Sequence, residues 1–95
     1  MTNPQKENGY TPIANELLEA FCSCKLSEYE RIVTLFIWRK TYGFSKKEDK
    51  ISNSQFVLGT GIKKSHISRT LKQLKERKIV TSTGNKLTIN KHYDA

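Results

Sequence analysis

Residues 52–62, SNSQFVLGTGI, followed by 63–78, KKSHISRTLKQLKERK, constrain this chain more than any other stretch. Ser52, Asn53, Ser54 and Gln55 have capping-box spacing, with Ser52 as cap and Gln55 reaching back to it. That predicts a helix from about Asn53 to Thr60. Gly61 supplies a turn, and Ile62 packs inward. A further helix runs from about Lys64 to Arg77. At about 100° per residue, Ile67, Leu71 and Leu74 fall on one side, with Thr70 at the edge. Ser65, Arg69, Lys72 and Glu76 lie opposite, flanked by His66, Ser68 and Gln73. A short helix, a glycine turn and a second helix with one apolar stripe make the helix-turn-helix order.

The remaining segments supply a support and a closing element. Thr11 and Pro12 read as cap and first residue of an opening helix, which Ile13, Leu17, Leu18 and Phe21 carry to about Cys22. Glu16 and Glu19 suit its positive end. Ser27, Glu28, Tyr29 and Glu30 form another capping box, so the next helix runs from about Glu28 to Tyr42 and stops at Gly43. It is apolar nearly all round, through Ile32, Val33, Leu35, Phe36, Ile37 and Trp38. Such a helix is either the central core element or core plus an interface with a second copy, and periodicity does not separate the two. Trp38 and Tyr42 read as core residues. Residues 44–50 form a polar connection, with Ile51 a short strand residue. Residues 79–82 and 86–89 are rich in Thr, Val and Ile and read as two strands around a turn at 83–85. The expected fold class is α+β, mainly α. It is a winged helix-turn-helix, with a tri-helical core and a C-terminal β-hairpin wing over residues 11–90. Residues 1–10 are expected to be a flexible arm and 91–95 a tail.

Charge narrows the function. Residues 63–78 carry seven Lys and Arg against Glu76 alone, a net of +6 in a chain whose total is +8. Basic helices are often merely solvated faces with acidic partners at i,i+4, but here the partners are missing. The concentration points to a polyanion whose condensed counterions are released on binding. Membrane attachment fits poorly: no apolar run approaches the ~18–20 residues of a span, and the basic helix lacks a bulky aromatic and leucine face. The N-terminal residues have no apolar signal core, so the expected location is the cytoplasm. Cys22 and Cys24 read as reduced thiols near a helix end, one of them buried. With His66 and His92 far off in sequence, they fall short of a metal-ligand set. The carboxylates are dispersed, and no nucleophile elbow or phosphate loop is present. Neither a catalytic site, a metal nor a cofactor is therefore expected.

Roles within the basic segment follow from docking geometry. The N-terminal part of the second helix of a helix-turn-helix enters the major groove of duplex DNA. Ser65, His66, Ser68 and Arg69 are the candidates for base edges. Arg69 has the bidentate geometry for guanine and Gln73 for adenine. Lys63 and Lys64 sit at the helix N-terminus, where free amides already favour phosphate. Lys63 also occupies the cap position, where a cation opposes the helix dipole and a phosphate would offset that cost. Lys72, Lys75 and Arg77 are assigned to the flanking backbone. Asn85 and Lys86 are the wing contacts. Gly59, inside a helix, implies close approach to the basic helix or to DNA, or simple tolerance.

Three stretches, NGYTPIANELLEA, LSEYERIVTLFIWRKTYGFSKKEDKIS and SQFVLGTGIKKSHISRTLKQLKERKIV, resemble the N-terminal domain of the bacteriophage replication protein O family of lambda-like phages. The most specific piece is RKTYGF, then a charged loop, then the I-S-x-S-Q helix start. The resemblance implies a winged-helix domain that binds repeats in a phage replication origin on double-stranded DNA, commonly as a homodimer. It implies a separate C-terminal region for the helicase-loading partner, which is not expected to bind these residues. Two departures from the family pattern stand out. Gly59 replaces a large apolar residue, and Lys78 stands where glycine often follows the basic helix. Lys78 must then adopt a less favoured turn or let the helix run on. A transcriptional regulator on the same fold, and a winged-helix module binding an acidic protein, are the competing functions. A steep salt dependence of DNA binding would speak against the latter.

Overall fold

The computed structural model describes residues 9–90. Four helices and a hairpin follow in order: α1 (Asn15–Ser23), α2 (Glu28–Lys40), α3 (Asn53–Thr60), α4 (Lys64–Glu76), β1 (Val80–Thr83) and β2 (Lys86–Ile89). This is the winged-helix arrangement, mainly α with a terminal hairpin. The expected arm, apart from Gly9 and Tyr10, and the expected tail lie outside the described residues.

Local chemistry sets most boundaries. Ser27 Oγ accepts from the Glu30 amide while the Glu30 carboxylate accepts from the Ser27 amide, closing the capping box of α2. Ser52 and Gln55 do the same for α3. Both starts agree with the sequence reading. At the C-terminus of α3, Gly61 takes φ +75 and its amide reaches the Val57 carbonyl. That left-handed residue makes the tight corner into α4.

Two helix ends differ from expectation. α1 starts at Asn15, not at Thr11 and Pro12, because Ala14 is still extended (φ −58, ψ 140). Residues 11–14 run alongside the end of α2, where Ile13 packs on the core and Thr11 abuts Gly43. α2 ends at Lys40, short of Gly43. Thr41 is fully buried, donates its hydroxyl to the Ile37 carbonyl at 2.8 Å, and turns the chain into a 3-10 turn over Tyr42–Phe44.

α2 is the central strut. It packs on α3, α4 and β2, burying Val33, Ile37 and Trp38 against Phe56, Ile67, Leu74, Val80 and Ile89. Trp38 meets Phe21 of α1 edge-on, with ring centroids 5.1 Å apart, so it is a core residue as expected. Gly59 is explained by packing against α2, not by α4 or DNA. A Cβ there would overlap the ring of Phe36. That ring lies against the fully buried Phe56.

β1 and β2 pair antiparallel, Val80 with Ile89 through Thr83 with Lys86, around the two-residue turn Gly84-Asn85. The third strand contact falls at Asp49, not at Ile51. Asp49 and Leu87 exchange both backbone bonds, at 3.1 and 2.8 Å, while Ile51 is buried in the core. β2 thus lies between two neighbours and buries Leu87 and Ile89, whereas β1 buries only Val80.

Candidate nucleic-acid interface

α4 folds as the sequence expects. Ile67, Thr70, Leu71 and Leu74 are buried, while Ser65, Ser68, Arg69, Lys72 and Gln73 are exposed and His66 is half-buried. Lys63 is the N-cap, with extended backbone and no side-chain cap bond, and it and Lys64 are exposed. The first amides of α4 therefore have no side-chain acceptor at the cap, which leaves them available to an anion.

Each flank of α4 is held by a different helix. On one side the Tyr29 ring of α2 lies tilted against the His66 ring, centroids 5.3 Å apart. His66 Nδ1 in turn meets Arg69 Nη2. On the other side Asn53 Nδ2, in the first turn of α3, donates to Ser68 Oγ at 3.3 Å. Between the two flanks Ser65, Arg69 and Lys72 point outward with Glu76. Tyr29 and Asn53 were not legible as site residues. Asn53 follows a cap and Tyr29 sits inside one, so local pattern accounts for both before any contact with α4 is known.

Arg77 departs from the expected DNA-backbone contact: although partly exposed, its guanidinium is already engaged within the protein. Its guanidinium donates to both Glu30 carboxylate oxygens at 3.1 and 3.2 Å and to the Lys25 carbonyl at 2.9 Å. Glu30 is 6% exposed. Burial pushes its carboxyl up, but the Ser27 amide and the Arg77 guanidinium outweigh that and hold it below its ordinary range. One carboxylate therefore caps α2 and pins the end of α4. Of the cations in 63–78, Arg77 alone has a carboxylate partner among the described residues.

Beyond Arg77 the chain turns through Lys78, at φ +60. The Lys78 amide reaches the Lys75 carbonyl at 3.1 Å and the Ile79 amide reaches Leu74 at 3.0 Å, a Schellman close with lysine in the usual glycine place. Asn90 Nδ2 donates to the Lys78 carbonyl at 2.8 Å and ties the corner to the far end of β2. Asn85 and Lys86 are exposed at the opposite, turn end of the hairpin. Eight of the ten predicted residues thus share α4 and its cap, and two stand apart on the wing.

The thiols differ from expectation, since neither is buried: Cys22 is exposed and Cys24 half-exposed. α1 turns Leu17 and Phe21 toward the core, which leaves Cys22 on its outer side. Among the described residues, no group of three or more His, Cys, Asp or Glu gathers as metal ligands. No helix among them is long and apolar enough to cross a membrane.

Residues 3–95 match the family model for bacteriophage replication protein O. The chain is 36% identical over 86 residues to the DNA replication protein gp18 of Salmonella phage P22, covering 90% of this chain and 32% of that protein. It is 41% identical over 76 residues to replication protein 15 of Enterobacteria phage phi80, covering 79% and 25%. It is 31% identical over 86 residues to replication protein O of Escherichia phage lambda, covering 90% and 26%. The chain thus spans about a quarter to a third of the length of these curated relatives. No solved structure matches it.

Proposed function

The chain belongs to the bacteriophage replication protein O family, and we propose that it binds duplex DNA sequence-specifically at a phage replication origin, without catalysis, as a step in phage DNA replication inside the host cell. The observation that carries this reading is the outward face of α4. Lys63, Lys64, Ser65, Arg69 and Lys72 are exposed on a helix whose apolar residues all turn inward. In the proposed complex the first two turns of α4 enter the major groove. Arg69 reads a base edge, and Ser65, His66, Ser68 and Gln73 line the same groove. Lys63 and Lys64 hold phosphate at the helix start, Lys72 the flanking backbone, and Asn85 and Lys86 reach the DNA from the wing. Residues 11–90 act as one DNA-binding domain.

A homodimer through α2 accompanies this reading. Leu35 on its outer face is 47% exposed, and Ile32 one turn earlier is half-exposed. A dimer would match repeated half-sites. The helicase-loading partner is assigned to no residue of this segment.

The test is fluorescence anisotropy at two salt concentrations. One duplex carries the repeats of the source phage's origin, and the other is shuffled at equal composition. Preference for the repeats by about 10³-fold at moderate salt is expected. Equal, salt-steep binding to both would reduce the chain to a nonspecific DNA binder, and no binding to either would move α4 to a protein partner.

A further inference from the structure

The RKTYGFSKK stretch, with no part in the α4 interface, builds a second basic surface at the other end of α2. Cations and aromatic rings alternate there. Lys40 Nζ lies 5.4 Å from the Phe36 ring centroid and 5.8 Å from that of Phe44, and the Arg39 guanidinium carbon is 4.7 Å from the Phe44 centroid. Phe44 itself is 53% exposed at the end of the 3-10 turn. Ser45 follows at φ +57, a left-handed residue that swings the chain away from the ring. Lys46 and Lys47 come next, both exposed. Lys46 pairs loosely with Asp49 at 3.6 Å, and the Lys47 carbonyl accepts from Thr88 Oγ1 at 2.6 Å, so the loop is fixed against the wing strand β2. Residues 39–50 carry five Lys and Arg against Glu48 and Asp49, a net of +3.

A fixed aromatic ring amid cations is a poor fit to intact duplex, whose bases are stacked on one another. It fits an unpaired base, with lysines tracking the phosphates on either side. We propose that Phe44, with Arg39, Lys40, Lys46 and Lys47, forms a binding site for single-stranded nucleic acid, separate from the duplex-reading face of α4. Phe44 offers the stacking surface, and the Arg39 guanidinium extends it. Lys46 and Lys47 hold the backbone. Tyr29, beside α4, is in the first turn of α2, and Lys40, beside Phe44, is its last residue, about 16 Å along the axis at ~1.5 Å per residue. The two surfaces can therefore be disabled one at a time.

The experiment measures anisotropy of a labelled oligothymidylate and of the origin duplex with four proteins. They are the wild-type chain, Phe44→Ala, the double variant Lys46→Ala/Lys47→Ala, and the α4 variant Lys64→Ala/Arg69→Ala. Phe44→Leu, which keeps bulk but not the aromatic face, covers the case in which Phe44→Ala is misfolded. Both Phe44 variants should weaken oligothymidylate binding by about tenfold or more and leave duplex binding within about twofold. The lysine pair should lower the salt slope for the oligothymidylate by about 1.4, at ~0.7 per phosphate contact. The α4 variant should show the opposite selectivity. A wild-type chain that binds the oligothymidylate but not the origin duplex would sink the α4 reading alone. Absent oligothymidylate binding by the wild type, insensitivity to Phe44, displacement only by polyglutamate, or loss of both ligands in the α4 variant would each overturn the proposal.

Discussion

Gly59→Ala should destabilise the protein, although the same change inside most helices stabilises it. Removing a helix-interior glycine gains about 1 kcal/mol from propensity. Here a Cβ would stand 2.5 Å from Phe36 Cζ and 3.0 Å from Cδ1, and closer still to Cε1. Carbon atoms rest at about 3.5–4.0 Å, so the ring must retreat by about 1 Å or more. Its far side offers little room, since the Phe56 ring centroid is 5.2 Å away and Phe56 is fully buried. Overpacking of this kind costs about 1–3 kcal/mol. Set against the gain, the net loss is up to about 2 kcal/mol, and each kcal/mol lowers Tm by about 4–8 °C in a domain of this size. Thermal unfolding followed by circular dichroism measures it. The decisive comparison is the cycle with Phe36→Ala, which removes the ring. In that background Gly59→Ala should raise Tm by the ordinary propensity gain, a reversal of sign that isolates the contact. Equal stabilisation in both backgrounds would show that the ring is not what keeps residue 59 bare.

Lys78→Gly should stabilise by about 1 kcal/mol, since a left-handed non-glycine residue carries a penalty of about 1–2 kcal/mol and glycine's extra unfolded-state entropy returns part of it; a lowered Tm would contradict the left-handed assignment. Glu30→Gln keeps the capping box but loses the charge facing Arg77. Because the folded carboxyl sits below its ordinary value of 4.5, its stabilisation is present above that pH and is lost as pH falls through the lowered value. The variant should therefore be about 1–2 kcal/mol less stable at pH 7, a figure reduced for the partly exposed Arg77, and the gap should close on acidification in urea titrations. Arg69→Ala should relax base preference and cost about 1–3 kcal/mol on the specific duplex. Lys64→Ala should weaken all duplexes alike and lower the salt slope by about one; matching effects of the two would remove Arg69 from base reading. Tyr29→Ala, which touches no proposed DNA contact except His66, should reduce specificity more than nonspecific affinity, and an unchanged ratio would leave Tyr29 with no part in positioning Arg69.

What was legible in the chain followed from where the information lies. Side-chain caps announce themselves locally, and both capping boxes place the starts of α2 and α3. The end of α2 depends on Thr41 being buried, and the start of α1 on residues 11–14 docking beside the 3-10 turn. Both are tertiary facts that override Gly43 and the Thr11-Pro12 pair. The single Asp49–Leu87 bridge has no periodicity to betray it. The outward face of α4 was legible because amphipathic spacing and charge agree there. Arg77 misled, because its pattern is that of its neighbours while its partner lies 47 positions away. Gly59 announced a close approach without saying to what.

The double use of Glu30 has a consequence for how the molecule opens. Its carboxylate holds the first turn of α2 and the C-cap of α4 at once, through Ser27 and Arg77. Fraying of either end strands a buried carboxylate, so neither end can loosen without the other. Slow hydrogen exchange at the two ends should then report one shared opening event, and α4, with its exposed basic face, has no private hinge relative to the strut that supports it.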